Sequence, residues 1–161
     1  MGPLEPMARA INSADLPLSL AVIAGRNQKL KQRLEAMSWR IPGFVYGFVR
    51  EMPDLMAAAD ILITKAGPGT ISEAFIAGLP IILYSRMPGQ EDGNVDFVVS
   101  EGAGVWAPEP ALVVETLNTW LRQPETLASV AGNSRRLARP GASREIARLL
   151  SSQVRSRVAF P

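Results

Sequence analysis

Gly67, Pro68, Gly69, Thr70 and Glu73 stand between an apolar, β-branched run, Ile61 to Thr64, and a helical pattern, and their types suit the binding of an anion. The first N–H groups of a helix lack partners and lie at the positive end of its dipole. Two glycines let a ligand approach the backbone, proline fixes φ in the turn, and Thr70 adds a hydroxyl donor. Glu73, one turn further on, can accept from sugar hydroxyls. A phosphate fits these donors. The same residues fit a second description, since Thr70-Ile71-Ser72-Glu73 has the T-x-x-E form in which threonine and glutamate satisfy the helix's own end. The segment alone leaves both open, because glycine-rich strand-to-helix turns are common in α/β folds.

The junction needs a strand before it and a helix after it. Ala74, Ile76, Ala77 and Leu79 are expected to form the helix's apolar face, with Gly78 and Pro80 stopping it before a buried strand at Ile81 to Leu83. Upstream, Leu18 to Ala24 reads as a strand buried on both faces, Gln28 to Met37 as a helix and Phe44 to Val49 as a strand bent at Gly47. Glu51 to Ala59 reads as a short helix. Downstream come a polar loop from Tyr84 to Gly93, a brief helix from Val95 to Glu101 and a strand from Gly104 to Trp106. Pro110 to Leu121, Pro124 to Leu137 and Ala142 to about Arg157 read as helices separated at Gln123-Pro124 and Pro140-Gly141.

This alternation predicts an α/β fold with a doubly wound parallel sheet, formed as a single domain over 1–161 in which 142–161 is a basic C-terminal helix and tail. Ligands in such a sheet meet the carboxyl ends of the strands, where the Gly67 to Thr70 turn and the Met87 to Asn94 loop both emerge. The opening, Met1-Gly2-Pro3-Leu4-Glu5-Pro6, leads straight into a helix with Leu4, Met7, Ala8 and Ile11 on one face and Pro3 in its first turn. A doubly wound domain should begin with a strand feeding that helix, so the first strand is expected to be missing.

Composition narrows the chemistry. The 161 residues, 47% hydrophobic and 20% charged, suit one soluble domain. Neither cysteine nor histidine occurs, which removes disulfides, thiolate nucleophiles, histidine triads and the usual zinc sites. Carboxylates, hydroxyls, lysines and backbone amides are left. No run of about 18 apolar residues and no signal-peptide pattern is present, so a cytoplasmic location is expected. Seven arginines against Glu145 alone from Ser129 onward make that end basic. They suggest a solvated or packed helix surface, or peripheral contact with an anionic membrane. No nucleic-acid partner is expected.

The segments GFVREMPDLMAAADILITKAGPGTISEA, GLPIIL, PGQEDGN and GAGVW, in that order, resemble the C-terminal domain of family 28 glycosyltransferases. They are most similar to the monogalactosyldiacylglycerol synthases and more distantly to MurG. The likeness runs from Met1 to about Ala147. It implies the Rossmann-like donor half of a GT-B enzyme that binds a UDP-sugar as substrate, with no cofactor and no metal. The acceptor-binding half and the catalytic base belong to an N-terminal domain, so no catalytic residue is expected in this chain. Carried over by position, Phe48 and Val49 line the uracil pocket and Gly67, Pro68, Gly69 and Thr70 hold the diphosphate. Glu73 takes the ribose hydroxyls, and Gln90, Glu91 and Asn94 lie at the donor sugar. Each has a plainer alternative, core packing for Phe48 and a solvated loop for Gln90-Glu91-Asp92.

Three functions remain in competition. One is the donor half of an inverting hexosyltransferase that acts on a lipid acceptor such as diacylglycerol. Another is a noncatalytic UDP-sugar-binding subunit that needs a separate acceptor-domain partner. The third is an inactive fragment.

Overall fold

The computed structural model describes residues 4–158, with side chains as far as Gln153. The expectations for Met1 to Pro3, for the side chains of Arg155 and Arg157 and for the tail after Val158 lie outside the described residues. Helices and strands alternate: α1 (Leu4–Ser13), β1 (Leu20–Ile23), α2 (Gln28–Glu35), β2 (Gly43–Tyr46), α3 (Met52–Ala57), β3 (Leu62–Lys65), α4 (Pro68–Ala77), β4 (Ile81–Ser85), α5 (Asp92–Ser100) and β5 (Gly104–Trp106). Three helices follow, α6 (Pro110–Arg122), α7 (Pro124–Leu137) and α8 (Ala142–Val158).

Every strand pairing is parallel. β4 is buried on both faces: Ile81 and Leu83 pack into a core with Ile71, Ala74, Phe75, Val95 and Val98, while Ile82 enters a second core on the other side with Met7, Ile11, Val113, Leu117 and Trp120. A third core joins α1 and α2 to β1 through Ala8, Val22, Leu30 and Leu34. Helices on both faces of a parallel sheet make the doubly wound α/β architecture.

Among the described residues the parallel sheet is split in two. β1 pairs with β2, β3 with β4 and β4 with β5, but no ladder among those residues joins the two sets. In the usual doubly wound order, 3-2-1-4-5-6, removal of strand 1 leaves these two groups. Two strands, β1 and β3, border the gap. Leu20 and Ala24 donate their N–H groups to β2 and Leu62 and Ala66 donate theirs to β4. Alternation along a strand then turns Ala21 and Ile23 of β1, and Ile61 and Ile63 at β3, toward the gap. β3 is half-buried along Leu62, Ile63 and Thr64, while Ile81, Ile82 and Leu83 beside it are fully buried.

Three boundaries shift in ways that matter for the site. β2 ends at Tyr46, so Phe48 and Val49 lie beyond the strand. α5 begins at Asp92 instead of Val95, which shortens the polar loop to 86–91. α4 begins at Pro68 and buries Ile71, Ala74 and Phe75 at i, i+3 and i+4, leaving Ile76 exposed and Ala77 on the solvent side. Leu79 is buried past the left-handed Gly78 cap, outside the helix. α7 secures this corner, where the buried Ser134 hydroxyl donates to the Leu79 carbonyl at 2.7 Å.

Candidate functional site

The α4 N-terminus is uncapped. Gly67 is its N-cap, Pro68 opens the helix and no side chain accepts from the N–H groups of its first turn. Thr70 is therefore the third helical residue and not the cap, and the T-x-x-E arrangement does not form. Pro68 has no N–H and the Ile71 N–H reaches the Gly67 carbonyl at 3.1 Å, so Gly69 and Thr70 carry the N–H groups that the helix leaves over. A Cβ at Gly69 would meet nothing within 4 Å, which is room for a ligand against the backbone. Glu73 is exposed one turn along. Ser72 turns back to donate to the Pro68 carbonyl at 2.9 Å.

The loop after β4 is tied to this turn by two bonds. Glu91, only 6% exposed, receives the Lys65 ammonium on Oε1 at 2.8 Å and the Met87 N–H on Oε2 at 2.8 Å. Asn94 donates from Nδ2 to the Ala66 carbonyl at 2.8 Å. Asp92 accepts from the Gly89 N–H, where φ is +77°, and pairs with Arg86. Gln90 is left exposed at the loop's tip. The Lys65 hydrogen bond first, and the Met87 N–H second, hold the Glu91 carboxyl below the usual carboxylate range. A folded value depressed in this way makes the contact a stabilising one above the unfolded carboxylate range, lost as pH falls through the lowered value.

The structure thus brings Gly67, Pro68, Gly69, Thr70 and Glu73 together with Gln90, Glu91 and Asn94. Phe48 and Val49 stand apart, past the carboxyl end of β2, with no bond to either segment. Phe48 is 59% exposed and is not core; the Arg26 guanidinium lies 5.1 Å from its ring centroid. Lys65, Arg86 and Arg26 escaped the sequence reading. Lys65 carried a usable signal, a cation closing a strand directly ahead of a glycine turn suited to phosphate.

The uncapped glycine turn and the polar loop latched to it lie at the carboxyl ends of adjacent parallel strands, where doubly wound folds place their ligand crevice. The chain belongs to glycosyltransferase family 28, whose C-terminal domain matches residues 6–146. It is 44% identical over 166 residues to a probable chloroplastic monogalactosyldiacylglycerol synthase of Nicotiana tabacum, covering 98% of this chain and 31% of the relative. The chloroplastic monogalactosyldiacylglycerol synthase of Spinacia oleracea is 42% identical, with 98% of this chain and 32% of the relative covered. Among solved structures, MurG of Acinetobacter baumannii superposes with a TM-score of 0.72 at 22% identity, over 94% of this chain and 47% of that one. The fold is the Rossmann-like C-terminal domain of GT-B glycosyltransferases. The chain spans about a third of the length of the curated relatives it matches.

Proposed function

We propose that this chain is the donor-binding half of a UDP-sugar-dependent hexosyltransferase of glycolipid synthesis, which transfers its sugar with inversion to a lipid such as diacylglycerol. The acceptor site and the catalytic base fall to a partner domain, joined to this one or separate. The observation that carries the reading is the pair of N–H groups at Gly69 and Thr70, left over at an uncapped helix start beside open space. A diphosphate there gains two backbone donors, the Thr70 hydroxyl and the helix dipole. On this reading Glu73 takes the ribose hydroxyls, Gln90 the donor sugar, and Phe48 with Val49, beyond the end of β2, the uracil. The named functions of the relatives support the sugar-lipid chemistry.

Calorimetric titration with UDP tests the site. Thr70→Ala and Glu73→Gln should each weaken UDP binding by about 1 to 2 kcal/mol, the scale of one lost hydrogen bond to a charged or buried group. Gln90→Ala should leave UDP affinity intact while removing the added affinity of the UDP-sugar. Equal losses for UDP and the UDP-sugar would take Gln90 off the sugar, and an unchanged UDP affinity in the Thr70 and Glu73 variants would sink the assignment.

α8 favours a peripheral membrane role for the same enzyme. Ile146, Leu149 and Leu150 are all more than half exposed, spaced as one helix face, while Arg144 and Arg148 fall on the opposite side. Among the described residues no helix is long and apolar enough to cross a membrane, so the contact would be interfacial. Co-sedimentation with vesicles should rise with anionic lipid content, fall at high salt and drop when Arg144, Arg148 and Arg155 become Gln. Indifference to all three leaves α8 as a packing helix.

A further inference from the structure

We propose that Lys65 is a ligand of the donor diphosphate, and that Glu91 is a positioning residue that holds Lys65 and the 86–91 loop instead of touching the sugar. This rests on the donor-site reading above and adds a cation to it. Both Glu91 oxygens are engaged, Oε1 by the Lys65 ammonium and Oε2 by the Met87 N–H, and with the side chain 7% exposed little of the carboxylate is open to a ligand. The Lys65 side chain, in contrast, is 57% exposed, and an ammonium has three N–H donors of which Glu91 engages one. The others are available at the mouth of the phosphate turn.

Gly67 shows where that ammonium sits. Its φ of −73° is open to any residue, so the backbone does not demand glycine there. A Cβ at Gly67 would lie 2.9 Å from Lys65 Nζ and 3.8 Å from Glu91 Oε1. The missing side chain is thus what lets the lysine lie across the turn, one residue before the helix whose free N–H groups face the ligand. Gly69 has the opposite surroundings, empty to 4 Å, and there the space is for the ligand itself. A doubly charged diphosphate entering beside Gly69 and Thr70 meets the Lys65 charge without displacing Glu91. Asn94, bonded to the Ala66 carbonyl, keeps the α5 start against the same turn, so the loop that carries Gln90 is registered on the phosphate site.

Lys65→Gln and Glu91→Gln separate this from a purely structural ion pair when titrated with uridine and with UDP. Glutamine at 65 can still bond Glu91 but carries no charge, so UDP affinity should fall about tenfold while uridine affinity stays. Lys65→Arg should restore most of the loss. Glu91→Gln leaves the lysine charged and should keep or raise UDP affinity while it erases the preference for UDP-sugar over UDP, because the loop carrying Gln90 loosens. The proposal is overturned if Lys65→Gln lowers uridine and UDP affinity together, leaves both unchanged, or is matched in its UDP loss by Glu91→Gln. Failure of the unaltered chain to bind UDP would instead defeat the donor-site reading, and Lys65's role with it.

Discussion

Gly67→Asp is expected to raise the stability of this domain and abolish most of its affinity for UDP. Aspartate is a strong N-cap residue, and the φ and ψ of Gly67, −73° and 130°, are those an N-cap adopts. Its carboxylate would take the N–H groups that α4 leaves over and would sit at the positive end of the helix dipole. Glycine is itself a tolerated N-cap, so the gain should be about a few tenths of a kcal/mol, or a rise of roughly 1 °C in Tm at this chain length. The new Cβ would lie 2.9 Å from Lys65 Nζ and 3.8 Å from Glu91 Oε1, so the gain requires the flexible lysine tip to shift slightly while still neutralising Glu91. The introduced carboxylate occupies the anion's donors and repels it. Two unit charges about 4 Å apart interact by about 4 kcal/mol at an effective dielectric constant near 20, so a loss of roughly 100-fold in UDP affinity is a moderate expectation. Thermal melts and UDP titration on one preparation check both signs. A variant that melts higher and still binds UDP normally would mean that the diphosphate is held elsewhere.

The second large effect concerns the split sheet. Supplying one parallel strand between β1 and β3, by extending the chain at its N-terminus with about 12 residues for a strand and turn, should raise Tm by several degrees. The strand would bond the edges at Ala21, Ile23, Ile61 and Ile63 and cover the half-buried face of β3, which is now an open apolar edge of the kind prone to aggregation. Aggregation on heating should fall in parallel. The comparison is a melt of the extended and unextended chains at equal concentration. An unchanged Tm would show that the two half-sheets are already sufficient.

Most of the fold was legible because each strand except β2 is an apolar run closed by glycine, proline or a polar turn, and because a parallel sheet buried on both faces writes itself as continuous hydrophobicity, as in Ile81 to Leu83. What misled was local. Thr70-x-x-Glu73 carries the letters of a cap, but Pro68 is pre-set for the first helical position and starts α4 three residues earlier, moving both side chains off the cap. The same shift replaced Ile76 and Ala77 with Ile71 and Phe75 on the buried face. α5 began early because Glu91 is fixed as its N-cap residue by the Met87 N–H four residues before it and by Lys65, a contact 26 residues away that no local window contains. Glu91 and Asn94 were named as candidates from the family pattern alone; that their polar atoms reach across to Lys65 and Ala66 required the fold. The gap between β1 and β3 was foreseeable from the order of elements, but its two-sided form depended on which strand was missing from the middle.

The central claim is that the uncapped start of α4 holds a nucleotide's diphosphate, and titration of the unaltered chain with UDP against uridine tests it most directly. UDP should bind more tightly than uridine by roughly 10- to 100-fold, the worth of one or two charge-assisted hydrogen bonds at about 1.4 kcal/mol per decade. Equal affinities for the two, or no binding of UDP at all, would contradict the account.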